Sequence, residues 1–131
     1  MNRYRDWLEQ AERDREKASL DFVHGYFEWC CFTAQQAAEK AVKALGMKLG
    51  VDVWGHAVTN LLRLLGDRVR VPEEIIESAQ LLDTYYIPTR YPNGFSIGKP
   101  ADYYNRQMAG EALHACEKVL AFCAGAIHRP V

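Results

Sequence analysis

The stretch YFEWCCFTAQQAAEKAVKALGMKL, residues 26–49, restricts the fold more than any other part of the chain. At 100° per residue, Phe27, Cys30, Cys31, Ala34, Ala37, Ala38, Ala41, Val42 and Leu45 fall on one broad arc, the mark of an amphipathic helix. Gln36, Glu39, Lys40 and Lys43 fall on the opposite arc. Four of the nine residues on the apolar arc are alanine, and small side chains let neighbouring helices come close. Gly50 suits a C-terminal stop.

Residues 2–22 read as a helix, with Tyr4, Trp7, Leu8, Ala11, Ala18 and Phe22 in three- and four-residue steps and a break at His24-Gly25. His56 precedes a short helix in AVTNLLRLLG. Pro72 fits the first position of a helix over 73–87, with Ile75, Ile76, Ala79, Leu82 and Tyr86 as its stripe. Pro88 should end it, because the residue before a proline avoids the α region. A loop over 88–101 contains the Asn93-Gly94 turn signal. Asp102 is placed to cap a last helix over 103–128, whose stripe includes Ala112, Cys116, Leu120, Cys123 and Ile127. No period-2 segment and no repeat interrupts this pattern. The expected fold is all-α, one domain over residues 1–131: an up-and-down bundle of four long helices plus one short helix.

Composition narrows the function. The formal net charge is −1, so no overall basic field draws in nucleic acid. No uncharged apolar run approaches the roughly 18–20 residues of a membrane span, and the charged start MNRYRDWLEQ lacks a signal-peptide core; a cytoplasmic protein is expected. Cys30, Cys31, Cys116 and Cys123 have no CxxC spacing and read as small buried side chains. No histidine pair at helical spacing suggests a metal, and no glycine-rich phosphate loop suggests a cofactor. Trp7, Trp29, Trp54, Phe27 and Phe95 exceed what one small bundle buries at its centre. A second apolar surface, used by a homodimer, is expected.

Two groups of residues could bind a ligand. Glu39 and Lys43 stand at i and i+4 on the polar strip, which is either a solvated face or an anion-binding strip using Lys40 and Lys43. The segment DTYYIPTRYPNG, residues 83–94, sets Asp83, Arg90 and Tyr91 around a helix break. Asp83 and Arg90 either clamp the loop as an ion pair or present the guanidinium to a phosphate, with Tyr85, Tyr86 and Tyr91 beside it. His56 reads as a helix cap, a structural imidazole or a ligand contact.

The strings AERDREKA, CCFTAQQAAEKAVKALGMKLG, GHAVTNLLRLLG and SAQLLDTYYIPTRYPNG, followed by a last long helix, resemble the HEPN domain family over nearly the whole chain. The resemblance implies a bundle of four or five helices that dimerises, in a prokaryotic protein often paired with a minimal nucleotidyltransferase, as in toxin–antitoxin pairs. It also implies nucleotide binding, or, in some members, metal-independent cleavage of RNA by an arginine, then four to six intervening residues, then a histidine where the last helix begins. This chain departs from that motif: no histidine follows Arg90 until His114. The expectation is therefore a dimeric, non-catalytic protein that binds a nucleotide, RNA or partner through Arg90, Tyr91, Asp83, Lys40, Lys43, Glu39 and His56; the alternatives are a divergent metal-independent endoribonuclease acting as a toxin and a plain dimerisation module.

Overall fold

The computed structural model describes residues 2–86 and 89–129. Among the described residues six α-helices form the expected all-α up-and-down bundle, one more than expected because of the one-turn α5: α1 (Tyr4–Val23), α2 (Phe27–Leu49), α3 (Val58–Leu64), α4 (Glu73–Asp83), α5 (Pro100–Tyr103) and α6 (Arg106–Ile127). A 3-10 turn lies at Pro92–Gly94.

The alanine-rich helix is the centre of the molecule. It packs against α1, α3, α4 and α6, and Ala34, Ala37, Ala38, Ala41, Val42, Ala44 and Leu45 are fully buried. In contrast, α1 buries only Ala11, Ala18 and Asp21 and turns a charged face outward. At the C-terminus of α2, Gly50 adopts φ 73°, and the amides of Gly50 and Val51 bond back to Met47 and Gly46 at 3.2 and 2.8 Å. This pair of bonds satisfies the last carbonyls of the helix and turns the chain into the 51–57 segment.

Two helix ends differ from the sequence expectation. The fourth helix stops at Asp83 rather than 87. Thr84 Oγ1 donates to the Leu81 carbonyl at 2.6 Å, a local bond that competes with helix continuation; the expected stop at Pro88 lies outside the described residues. The last long helix begins at Arg106, not 103. Asp102 does not cap it. Its carboxylate reaches back to the Lys99 amide at 3.1 Å and the Lys99 ammonium at 2.9 Å, closing the one-turn α5. Asn105 caps α6 instead, accepting the Met108 amide at 2.9 Å.

None of the five surplus aromatics is fully buried. Trp54 is 83% exposed and Trp29 46%, while Trp7, Phe27 and Phe95 are half-buried. All four cysteines are free and buried. Burial pushes the thiols of Cys30, Cys31 and Cys116 up to about 12, and that of Cys123 above its ordinary range. At neutral pH these groups are protonated, inert and part of the core. Among the described residues no helix is long and apolar enough to cross a membrane.

Candidate functional site

Arg90 follows the break after α4 and lies across the N-terminal half of α2. Its guanidinium sits 4.6 Å from the ring centre of Phe32, 4.8 Å from Tyr86 and 5.1 Å from Tyr91. Its Nε donates to the Tyr86 carbonyl at 3.1 Å. Among the described residues no carboxylate pairs with it, and its two terminal nitrogens have no hydrogen-bond partner. Three ring faces hold the planar cation by attraction to their quadrupoles, and the Nε–carbonyl bond leaves the two terminal nitrogens uncommitted among the described residues.

His56 meets the same tyrosine. Its imidazole stacks on Tyr86, with ring centres 4.8 Å apart and planes 14° from parallel. His56 Nδ1–H donates to the Glu39 carboxylate, 3.1 Å from each oxygen. An acceptor-only carboxylate on Nδ1 selects the tautomer in which Nε2 is the acceptor. The side chain is 57% exposed.

Behind the imidazole lies a satisfied polar cluster. Glu39 is buried and also accepts from Lys43 Nζ at 3.0 Å and Gln35 Nε2 at 3.2 Å. Gln35 is fully buried, and its amide also donates to the His56 backbone carbonyl at 3.0 Å. The 51–57 segment is thus pinned to α2 through both the backbone and the ring of His56. The polar strip of α2 is not a solvated face: it is covered by α1 and by this segment.

Of the residues singled out from the sequence, the structure brings His56 and Arg90 together on Tyr86, with Tyr91 against Arg90 and Glu39 and Lys43 behind His56. Lys40 stands apart, paired with Asp14 of α1. Asp83 does not meet Arg90. It accepts the amides of Val58 and Thr59 at 2.6 and 3.2 Å and caps α3, so the expected Asp83–Arg90 pair is replaced by a helix cap. Tyr85 turns inward against Tyr104, with ring centres 5.9 Å apart, and burial pushes its hydroxyl up to about 12. Phe32 and Gln35 were missed, although Phe32 precedes Gln36, Glu39 and Lys43 at helical spacing and Gln35 stands four residues before Glu39. Among the described residues no group of three His, Cys, Asp or Glu side chains is placed to hold a metal ion.

A family model described as the HEPN domain matches residues 4–126. A crystal structure of a protein from Thermus thermophilus is similar at a TM-score of 0.93 and 47% identity, covering 96% of this chain and 99% of that one. An archaeal HEPN homologue is similar at a TM-score of 0.83 and 38% identity, covering 97% and 99%. A HEPN domain protein from Thermotoga maritima is similar at 0.79 and 34%, covering 95% and 99%. A protein of Methanocaldococcus jannaschii with a provisional toxin name is 24% identical over 123 residues, 87% of this chain and 81% of that protein.

Proposed function

The chain belongs to the HEPN domain family, and on that premise we propose that it is a non-catalytic, homodimeric, cytoplasmic binding module for the phosphate of a nucleotide. One observation carries this reading: the Arg90 guanidinium is held by three rings and one carbonyl, with no carboxylate beside it among the described residues. Burial of an arginine ordinarily requires a paired charge, and Arg90 is half-buried with none beside it among the described residues. Here the fork is oriented and its charge is left to a guest, and two parallel donors match a phosphate. His56, stacked on the same tyrosine, is a second contact for the guest, its Nε2 accepting from a hydroxyl of the sugar rather than meeting the phosphate.

A minimal nucleotidyltransferase is the partner that suits such a site, because it carries a nucleotide of its own. The toxin name of the Methanocaldococcus relative supports a place in a toxin–antitoxin-like pair. Exposed Leu20, Val23, Tyr26 and Trp29 around the α1–α2 turn supply apolar surface for the dimer.

The test is calorimetric titration of nucleoside phosphates into the wild-type protein and the Arg90→Ala variant, with helicity checked by circular dichroism. Loss of a charge-assisted bond should weaken binding about 10- to 100-fold in a protein that still folds. Equal binding by both proteins, or none by wild type, removes the reading.

A second reading is favoured by the contact of both His56 and Arg90 with Tyr86. RNA cleavage without metal needs a proton carrier, and the position expected from the family motif holds none. His56 Nε2 would take the proton of the 2′-hydroxyl, whose oxygen attacks the adjacent phosphorus. The 5′-oxygen would leave with that proton, while Arg90 steadies the phosphorane charge. Cleavage to 2′,3′-cyclic ends, abolished in His56→Ala, would establish it; intact RNA at high protein concentration would remove it.

A further inference from the structure

A cleft of about 250 Å³ opens beside the polar cluster, lined by Trp7, Trp54, Met47 and Val53, with Lys43 and Asp52 as its polar groups. It is too small for a drug-sized ligand and of a size for one ring system. Trp54 is 83% exposed, although its neighbours Val51 and Val53 are anchored against the core. An indole left so open on a pinned segment has no packing role. Lys43 joins the cleft to the anion site: its ammonium lies 6.0 Å from the Trp7 ring centre and 3.0 Å from the Glu39 carboxylate that holds His56. Trp54 and His56 are two residues apart, a separation of at most about 7 Å along the backbone.

We propose that this cleft is a base subsite, and that the ligand is a nucleoside polyphosphate whose ring stacks on Trp54. This rests on the anion reading of Arg90. The indoles supply stacking surface that every nucleobase can use. Asp52 is an acceptor only, which favours bases that carry an exocyclic amino group. The sugar next to the base falls beside His56, whose Nε2 accepts from a hydroxyl. Arg90 stands one ring further on, across Tyr86, and the phosphate chain of the ligand extends toward it.

The probes are ATP, inorganic tripolyphosphate and adenosine, titrated without added metal into wild type, Trp54→Ala and Arg90→Ala. Trp54 is exposed enough for its replacement to leave the fold intact. Wild type should bind ATP more tightly than tripolyphosphate, by roughly 10- to 100-fold. Trp54→Ala should bring ATP down to the level of tripolyphosphate and leave tripolyphosphate unchanged. If wild type binds the two alike and Trp54→Ala alters neither, the base subsite is wrong and the anion site stands. If tripolyphosphate binding does not depend on Arg90 while ATP and adenosine binding depends on Trp54, the subsite stands and the anion reading falls. If none of the three binds, both are wrong.

Discussion

Asp83, the last residue of α4, holds the amide of Val58, the first residue of α3, at 2.6 Å, and the neighbouring amide of Thr59 at 3.2 Å. The residue at the cap position of α3 is Ala57, which has no side-chain acceptor of its own. A helix of seven residues does not persist alone, and its N-terminus is organised by a carboxylate 25 residues away. Replacing Asp83 by Ala should cost about 2 kcal/mol, seen as a lower urea midpoint at unchanged slope. Asp83→Asn, which keeps one acceptor, should lose less. An unchanged midpoint for Asp83→Ala would show that the cap contributes nothing.

The helices were legible in the sequence because burial repeats every three to four residues, and α2 alone implied a helical surround. Long-range polar partners were not legible. Asp83 and Arg90 are seven residues apart and of opposite charge, yet the carboxylate is taken by amides of α3. Helical spacing placed Glu39 correctly on the polar arc of α2, but not beneath the 51–57 segment, whose path is set by Gly50 and by bonds to Gln35. The meeting of His56 and Arg90 on Tyr86 joins three segments, and periodicity carries no information about contacts of that kind.

Glu39 satisfies three donors at once from a nearly closed position, with its side chain 7% exposed and that of Lys43 17%. Glu39→Ala leaves Lys43 without a carboxylate and frees the His56 ring. It should destabilise the fold by about 3 kcal/mol. The double variant Glu39→Ala/Lys43→Met should recover part of that loss, because the stranded charge is gone. Chemical denaturation of the wild type, single and double variants measures the coupling; simple additivity would mean that Glu39 and Lys43 do not act as a pair.

The cage around Arg90 distinguishes a fork from a point charge. Arg90→Lys keeps the charge but loses the planar stacking on Phe32, Tyr86 and Tyr91 and the paired donors. Anion affinity should fall about tenfold, while stability changes by less than about 1 kcal/mol. Calorimetric titration with tripolyphosphate measures the first and urea denaturation the second. Full affinity in the lysine variant would mean that the rings do not orient the cation for its guest.

Burial of the thiols gives the fold a defined alkaline limit. Cys30, Cys31 and Cys116 rise from an ordinary 9.0 to about 12, and Tyr85 from 10.0 to about 12. Each group keeps its proton in the folded state at a pH where the unfolded chain has lost it. Their contribution to stability is therefore complete below about pH 9 and is lost as the pH rises toward 12. Urea midpoints should be level from about pH 7.5 to 8.5 and fall steadily above about 9, and the fall should be shallower in Cys116→Ala. A level midpoint at about pH 10.5 would contradict the burial of these groups.

Gly46 sets two opposed effects against each other. It lies within α2, where alanine is the better helix former by about 1 kcal/mol. A Cβ placed there would stand 3.0 Å from the Val51 carbonyl oxygen and 3.1 Å from a Val53 methyl. The first of these is backbone, tied by the Val51 amide at 2.8 Å to the carbonyl of Gly46 itself, and it yields only if the whole turn after Gly50 moves. Overpacking of this kind costs about 1–3 kcal/mol, so the net effect of Gly46→Ala should be a loss of stability or none, against the helix propensity. The displaced turn carries Trp54 and His56, so the same substitution should weaken ATP binding more than tripolyphosphate binding. Denaturation and titration of the one variant test both parts. A gain of about 1 kcal/mol with unaltered ATP affinity would show that the 51–57 segment is free to shift.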